Sequence, residues 1–186
     1  MIVTLAGRRI DAPNAMVTRF PLEESSSVYQ QIQTLLKENQ ATALVSSAAC
    51  GADLLALEAA GQLGIRRRII LSFEPELFRS TSVTDRPGDW GKLYDRIINE
   101  VEAVGDLVLL HEKTDDAATY IRANQAILDE AQQLAREAAL EADTETDNLL
   151  AVLIWEGQSR GEGDITAAFR EEAHARAIPT AEIFTQ

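Results

Sequence analysis

The chain has 186 residues and carries 30 aspartates and glutamates against 17 lysines and arginines, so its formal net charge is −13. The phosphate backbone of DNA or RNA repels such a charge, which argues against general nucleic-acid binding, and no apolar run reaches the roughly 18 residues of a membrane helix. We expect one domain over residues 1–186, with no nucleic-acid or membrane partner. Most of the acidity is interpreted as a solvated surface, on which backbone N–H groups and a few arginines can still form a local anion site.

The sequence favours a cytoplasmic location. The N-terminal stretch MIVTLAGRRI lacks the basic flank, long apolar segment and small-residue cleavage site of a signal peptide, and it is typical of a first strand. The single cysteine, Cys50, cannot form an internal disulfide.

Apolar runs alternate with segments of helical periodicity along the first part of the chain. Strands are predicted at 2–6, 41–46, 68–73 and 107–110, and helices at 28–37, 53–63 and 89–101. Residues 11–27 and 74–88 contain prolines and serines and are predicted to be irregular.

The same alternation continues to the C-terminus. The predicted elements are a helix at 117–142, a polar turn at 143–147, a strand at 149–155, a glycine-bearing loop at 157–163, a helix at 164–177 and a last edge strand at 183–184. Alternating strands and helices predict a Rossmann-like three-layer α/β/α fold with a mostly parallel sheet. The long helix is a candidate surface for a partner, including a homodimer.

Three glycine-bearing turns follow predicted strands. They are Gly7-Arg8-Arg9, residues 46–52 and residues 157–163. Each turn alone is explained by ordinary turn chemistry. In a parallel sheet, however, all three lie at the carboxyl edge, where open α/β sheets bind ligands. We therefore expect one ligand site at this edge.

The turn at 46–52 is the best candidate for contact with an anion. Its N–H groups open a helix, where partial positive charge favours an anion, and Ser46 and Ser47 can add hydroxyl donors. Small residues around Gly51 would let a ligand approach the backbone. Asp53 is interpreted either as the helix cap or as a residue that orients a ribose hydroxyl or the turn itself.

Other side chains are candidates by position. Arg8, Arg9 and Arg160 occupy loops at the same predicted edge and can bind phosphate. Trp155, at a strand end, either stacks on a base or closes the core. Glu58 is a solvated helix residue unless its helix tilts towards the site.

Metal-binding and phosphate-loop motifs are not found in the sequence. His111 and His174 are isolated from each other and from Cys50, so a zinc site has no support. No P-loop or nucleophile-elbow pattern occurs. We therefore predict neither a metal site nor a bound cofactor.

Several blocks of the sequence resemble one family. The main stretch is VSSAACGADLLALEAAGQLGIRRRIIL. It resembles the SMF/DprA–LOG (SLOG) superfamily, whose members carry a Ser-Gly-x-Ala-x-Gly-x-Asp turn between a strand and a helix. Three further stretches resemble blocks of a SLOG subfamily and occur in the expected order: TLAGRRID, ELFRSTSV followed by Trp90, and LLAVLIWEGQSRGEGD.

The resemblance implies a Rossmann-like sheet with a pocket for nucleotides or nucleotide-derived ligands. Carried over by position, the pocket residues would be Gly7, Arg8, Ser46, Ser47, Gly51, Asp53, Gly157, Arg160, Gly161 and Gly163. The loop that holds Arg79 and Ser82 could form a lid.

The catalytic carboxylate of related enzymes is missing from the matched positions. The phosphoribohydrolase signature Gly-Gly-x-Gly-Thr-x-x-Glu, aligned on Gly161 and Gly163, places Asp164 at the threonine. The same alignment places Ala167 at the glutamate. The related nucleoside deoxyribosyltransferases use a glutamate six residues after an aspartate, and counted from Asp164 that position is Arg170.

Three functions stay open at this stage. Binding or sensing of a nucleotide-derived small molecule is favoured. The alternative is a hydrolase or transferase acting on an N-glycosidic bond of a nucleotide or nucleoside, in which Glu58 or Glu156 would supply the missing carboxylate. The third is a protein-interaction domain with a vestigial pocket.

Overall fold

The computed structural model describes residues 1–114, 116–143 and 148–186. The strands among them are Ile2–Gly7 (β1), Ala43–Ser46 (β2), Arg66–Leu71 (β3), Leu107–Leu109 (β4), Leu149–Trp155 (β5) and Thr180–Phe184 (β6). They form one sheet in the order β4-β3-β2-β1-β5-β6, and every neighbouring pair is parallel. The predicted α/β fold with a parallel sheet is confirmed.

Helices cover both faces of this sheet. They are Ser25–Glu38 (α1), Ala52–Gln62 (α2), Pro75–Ser82 (α3), Trp90–Ala103 (α4), Ala117–Glu141 (α5) and Ile165–Ala175 (α6), with a 3-10 turn at Leu22–Glu24. Side chains of β1 alternate between two cores, because successive residues of a strand point to opposite faces. Val3 and Leu5 join the core under α1 to α4, whereas Ile2 and Ala6 join the core under α5 and α6.

The strand order reverses beside β1. The chain moves from β1 through β2 and β3 to β4 on one side, and then returns to place β5 and β6 on the other side. Connections leave the two sides of such a switch point in opposite directions, which opens a crevice beyond the carboxyl ends of the strands.

Two segments differ from the sequence prediction. Residues 74–88, predicted to be irregular, contain helix α3, because Pro75 at the first helical position is compatible with a helix start. The third strand begins at Arg66 rather than Arg68. Arg66 and Arg68 both bind Asp106, at 2.7 and 3.2 Å, away from the carboxyl edge of the sheet.

Smaller differences concern element ends. Helix α1 begins at Ser25, three residues before the predicted start, and β6 begins at Thr180 rather than at residue 183. The predicted polar turn at 143–147 lies almost wholly outside the described residues. Within the described ranges, no helix combines the length and apolar character needed to cross a bilayer.

Candidate functional site

A cavity of about 480 Å³ opens at the carboxyl ends of β1, β2 and β3, beside the switch point. This volume is in the usual range for small-molecule sites. The walls come from the loop after β1, the turns after β2 and β3, helix α3 and the N-terminal parts of α5 and α6. The charged residues that line it are Arg8, Arg9, Asp11, Arg19, Asp53, Arg86 and Arg160.

The first turn is fixed by neighbours on both sides. The backbone N–H of Arg8 donates to the carbonyl of Ile154 in β5 at 2.8 Å. The N–H of Ala52, at the start of α2, donates to the carbonyl of Arg8 at 3.1 Å. The turns after β1, β2 and β5 therefore meet at one edge of the sheet.

Gly51 faces protein backbone rather than the cavity. Its φ is +92°, a conformation that favours glycine. A Cβ atom at this position would lie 2.8 Å from the carbonyl oxygen of Arg8 and 2.9 Å from the nitrogen of Ile10. The small residues of the second turn thus allow the loop after β1 to approach closely.

Arg8 is the centre of a buried ion network. Its Nη1 donates to Asp164 at 2.6 Å and its Nε donates to Glu156 at 2.6 Å. Its Nη2 also donates to the carbonyl of Gln158 at 2.9 Å. The guanidinium is 4% exposed, so this charge is neutralised by the protein's own carboxylates.

Asp164 joins this network to helix α6. Its carboxylate accepts hydrogen bonds from the N–H groups of Thr166 and Ala167 at 3.0 and 3.3 Å and so caps the helix. Burial alone would raise the pKa of Asp164. The hydrogen bonds from Arg8 and from backbone N–H groups outweigh burial and hold that pKa well below its usual range.

Trp155 belongs to the core. The residue is 1% exposed, and two guanidinium groups contact its ring, with Arg170 at 4.9 Å and Arg8 at 5.7 Å from the ring centroid. Cation–π contacts of this kind stabilise a buried indole. Of the two roles interpreted from the sequence, Trp155 occupies the position that closes the core. Its ring does not line the cavity.

Two arginines on the β2 side of the cavity share one carboxylate. Arg9 forms an ion pair with Asp85, and the Nε of Arg86 lies 3.4 Å from a carboxylate oxygen of the same residue. The Nε atoms of both arginines are buried and have no hydrogen-bond partner. Arg9, Arg86 and Asp85 are called the Asp85 cluster below.

Two more arginines extend the ion network on the β5 side. Arg19 contacts Glu156 at 2.9 Å, and Arg160 lies 3.6 Å from Asp164 through its Nε. Both side chains remain partly exposed, at 31% and 44%. Together with Arg8, these residues form what is called the Asp164 cluster below: Arg8, Arg19, Arg160, Glu156 and Asp164.

Asp53 places a titratable carboxyl in the cavity wall. It does not cap α2; its carboxylate accepts the N–H of Ala49 at 3.1 Å and so holds the second turn. Burial raises the pKa of Asp53 to about 7, although the Ala49 N–H and the charge of Arg9 act in the opposite direction. The group therefore changes charge near neutral pH.

The remaining walls are largely apolar. Ile10 comes from the loop after β1, Ile127 comes from α5, and Phe78 comes from α3. Phe78 is buried and stacks on Tyr94 with ring centroids 6.2 Å apart, which holds α3 against α4. Helix α3 thus forms a packed wall of the cavity, and the lid suggested for the segment that holds Arg79 and Ser82 stays an expectation.

The loop over residues 11–20 closes on itself at the cavity mouth. The carboxylate of Asp11 accepts the N–H groups of Arg19 and Phe20 at 2.9 and 3.0 Å. Met16 and Val17 lie between these anchors, line the cavity and are 99% and 55% exposed. The cavity therefore has an apolar rim beside its arginines.

The structure divides the sequence-predicted site residues into two groups. Those that line the cavity are Gly7, Arg8, Arg9, Ser47, Asp53, Ser82 and Arg160. Those outside its lining are Ser46, Gly51, Glu58, Arg79, Trp155, Glu156, Gly157, Gly161, Gly163 and Asp164.

The second group is engaged elsewhere. Glu58 accepts Arg96 at 2.5 Å on the outer side of α2, and Arg79 donates to Asp95 at 2.7 Å on the surface of α3. Ser46 is buried, with its hydroxyl on the carbonyl of Ser47. The two carboxylates on which the hydrolase alternative depends, Glu58 and Glu156, are thus both ion-paired outside the cavity lining.

Sequence reasoning missed three polar residues that line the cavity: Arg19, Arg86 and Asn124. The two arginines lie in segments predicted to be irregular, where only their charge could have marked them. Asn124 lies on α5 and donates to the carbonyl of Ile165 at 2.9 Å. Within the described ranges, no group of three or more histidines, cysteines, aspartates or glutamates is arranged to hold a metal ion.

The chain has a distant structural likeness to a solved protein. No family model matches the chain, and no curated protein matches it. Among solved structures, the chain is similar to the X-ray structure of DNA processing protein A (DprA) from Streptococcus pneumoniae, with a TM-score of 0.44 and 15% sequence identity. The similarity covers 96% of this chain and 57% of that chain, so this chain spans less than two thirds of the length of DprA.

Proposed function

We propose that the cavity beside the switch point binds a nucleotide-derived small molecule, and that the protein acts as a sensor or carrier of that molecule. The observation that carries this proposal is the charge of the lining. Five arginines and two carboxylates, Asp11 and Asp53, line the cavity, and three carboxylates outside the lining, Asp85, Glu156 and Asp164, pair with those arginines, in a chain whose formal net charge is −13. The cavity is therefore far less acidic than the rest of the chain, and its concentrated guanidinium groups favour an anionic ligand.

The mixture of arginine, apolar and polar side chains in the cavity walls favours a nucleotide over other small anions. Arginine guanidinium groups bind phosphate oxygens in a bidentate manner. The apolar side chains of Ile10, Phe78 and Ile127 suit the faces of a base, and the polar groups of Asp53 and Asn124 suit sugar hydroxyls. The SLOG-like sequence blocks support the same ligand class.

Thermal unfolding with a panel of ligands tests the proposal. The panel holds mononucleotides, dinucleotides, ADP-ribose and cyclic nucleotides. A ligand at about a hundredfold its Kd stabilises the folded chain by about 2.7 kcal/mol, which corresponds to a rise of roughly 5–10 °C in Tm at this chain length.

Two variants assign the shift to the cavity. Arg86→Gln removes a lining arginine and should remove about half of the shift or more. Arg96→Gln removes an ion-paired arginine on α4 that is outside the lining, and should leave the shift unchanged. A panel that produces no shift in the wild-type protein would overturn the proposal and favour a vestigial pocket.

A further inference from the structure

The arginines of the cavity are divided between its two sides. Arg8 and Arg9 are consecutive in the loop after β1, yet their side chains bind different partners. Arg8 reaches Glu156 and Asp164, which follow β5, whereas Arg9 reaches Asp85. In the sheet, β5 lies on one side of β1 and β2 lies on the other.

Asp85 belongs to the β2 side through helix α3. The carbonyl of Ser82, the last residue of α3, accepts the N–H of Cys50 in the turn after β2 at 3.0 Å. Asp85 follows three residues later and holds Arg9 and Arg86. The Asp85 cluster and the Asp164 cluster therefore lie on opposite sides of the loop after β1.

Each cluster contains one more arginine than carboxylate. The Asp85 cluster has two arginines and one aspartate, and the Asp164 cluster has three arginines, one glutamate and one aspartate. The Asp85 cluster keeps unused hydrogen-bond donors, because the Nε atoms of Arg9 and Arg86 have no hydrogen-bond partner. In the Asp164 cluster, the side chain of Arg160 is 44% exposed.

From this arrangement we infer that the ligand carries two separated anionic groups, one bound by each cluster, as in a nucleoside bisphosphate. This inference rests on the proposed function for the identity of the ligand. A single phosphate group at one end would satisfy one cluster and leave the arginine surplus of the other without a counter-charge. A second anionic group adds the charged hydrogen bonds that the other cluster can donate, and a monophosphate forgoes them.

Two further carboxylates of the wall, Asp11 and Asp53, form no ion pair with these arginines. The carboxylate of Asp11 accepts two backbone N–H groups of its own loop. The carboxyl of Asp53 accepts the N–H of Ala49, and the charge of Arg9 acts on it without a hydrogen bond. Within the described residues, neither carboxylate accepts a hydrogen bond from an arginine side chain.

Isothermal titration calorimetry with matched ligand pairs tests the inference. The first pair is adenosine 5′-monophosphate and adenosine 3′,5′-bisphosphate. The second pair, without a nucleoside, is fructose 6-phosphate and fructose 1,6-bisphosphate. At least one two-anion ligand should bind about tenfold or more tighter than its monophosphate, since it adds charged hydrogen bonds at the second cluster.

Variants then assign the gain to the clusters. Arg86→Gln and Arg160→Gln should each reduce affinity for the two-anion ligand to that of the monophosphate. Arg96→Gln is the matched control, because Arg96 is as exposed as Arg160, at 45% against 44%, and is ion-paired outside the cavity lining.

The outcomes separate the two proposals. If mononucleotides bind and no two-anion ligand gains affinity, or if the gain depends on one cluster alone, the inference fails and the proposed function stands. If only the sugar bisphosphate shows a gain that both clusters supply, the inference stands and the nucleotide function fails. If no ligand binds the wild-type protein, both are overturned.

Discussion

Gly51 and Gly161 have nearly the same φ angle and very different surroundings. Their φ angles are +92° and +93°, yet a Cβ at Gly51 would strike the backbone of Arg8 and Ile10, whereas a Cβ at Gly161 meets nothing within 4 Å. The pair compares a positive φ with a close approach against a positive φ without one.

We predict that Gly51→Ala lowers the free energy of unfolding by about 3 kcal/mol or more, since the strain of a positive φ and overpacking add. Gly161→Ala should cost about 1 kcal/mol, because only the backbone angle opposes it. Urea unfolding followed by circular dichroism measures both changes. Equal losses in the two variants would contradict a close approach at Gly51.

Asp53 makes the stability of the folded chain depend on pH. Its pKa is raised to about 7 in the folded state, mainly by burial, above the usual value of 3.8. The folded chain therefore holds this proton more tightly than the unfolded chain. This contribution to stability is fully present below about pH 4 and is lost as the pH rises through about 7.

Asp53→Asn keeps an oxygen for the N–H of Ala49 and removes the titration. We expect the variant to be more stable than the wild type at pH 8, by as much as about 4 kcal/mol for a shift of roughly three pKa units. The difference should shrink as the pH falls to 5. Unfolding curves of both proteins at pH 5, 6.5 and 8 measure it, and a difference that does not change with pH would refute the assignment.

At the scale of elements, Arg8 ties β1 to the turn after β5 and to the cap of α6. Arg8→Gln leaves Glu156 and Asp164 without their main counter-charge inside the protein. Breaking a buried pair in this way should lower the free energy of unfolding by about 3 kcal/mol. Arg122→Gln, which breaks an exposed ion pair with Glu112, is the control and should have much less effect. A loss no greater than that of the control would show that the network contributes little to stability.

The alternating pattern was enough to predict the order of the strands and helices, because strand and helix periods differ along this chain. Helix α3 was missed for a physical reason. Pro75 is a breaker inside a helix but a favourable residue at its start, and the sequence alone does not say which position it occupies.

The candidate site was predictable only in part. Glycine-bearing turns at strand ends located the edge, and Arg9, Ser47 and Asp53 line the cavity there. Side-chain direction could not be predicted in the same way. Gly51 lies in the best candidate turn yet faces the loop after β1, and this contact is set by packing between segments that are distant in sequence.

At the scale of the whole molecule, the acidic charge lies outside the cavity. The five arginines of the lining are matched in number by Asp11 and Asp53 in the wall and by their partners Asp85, Glu156 and Asp164, so the net charge of −13 belongs to the rest of the chain. A long polyanion contacts surface over many residues, whereas a small anion can enter the cavity.

We therefore predict that a 20-base-pair DNA duplex does not bind at physiological salt, even at concentrations near the Kd of about 10⁻⁴ to 10⁻⁶ M typical of non-specific binders. Fluorescence anisotropy of a labelled duplex measures this. A salt-dependent rise in anisotropy with added protein would disprove the prediction.

The position of β1 in the sheet has a consequence for synthesis of the chain. Ile2 pairs with Leu149, so one edge of the central strand has no partner until most of the chain has been made. At about 5–20 residues per second, a ribosome needs roughly 7 to 30 s to reach β5 after β1. During that interval the free edge presents unpaired N–H and C=O groups that can pair with another nascent chain. We expect aggregation to compete with folding mainly in this interval, and a chaperone that shields the edge of β1 to raise the yield of native protein.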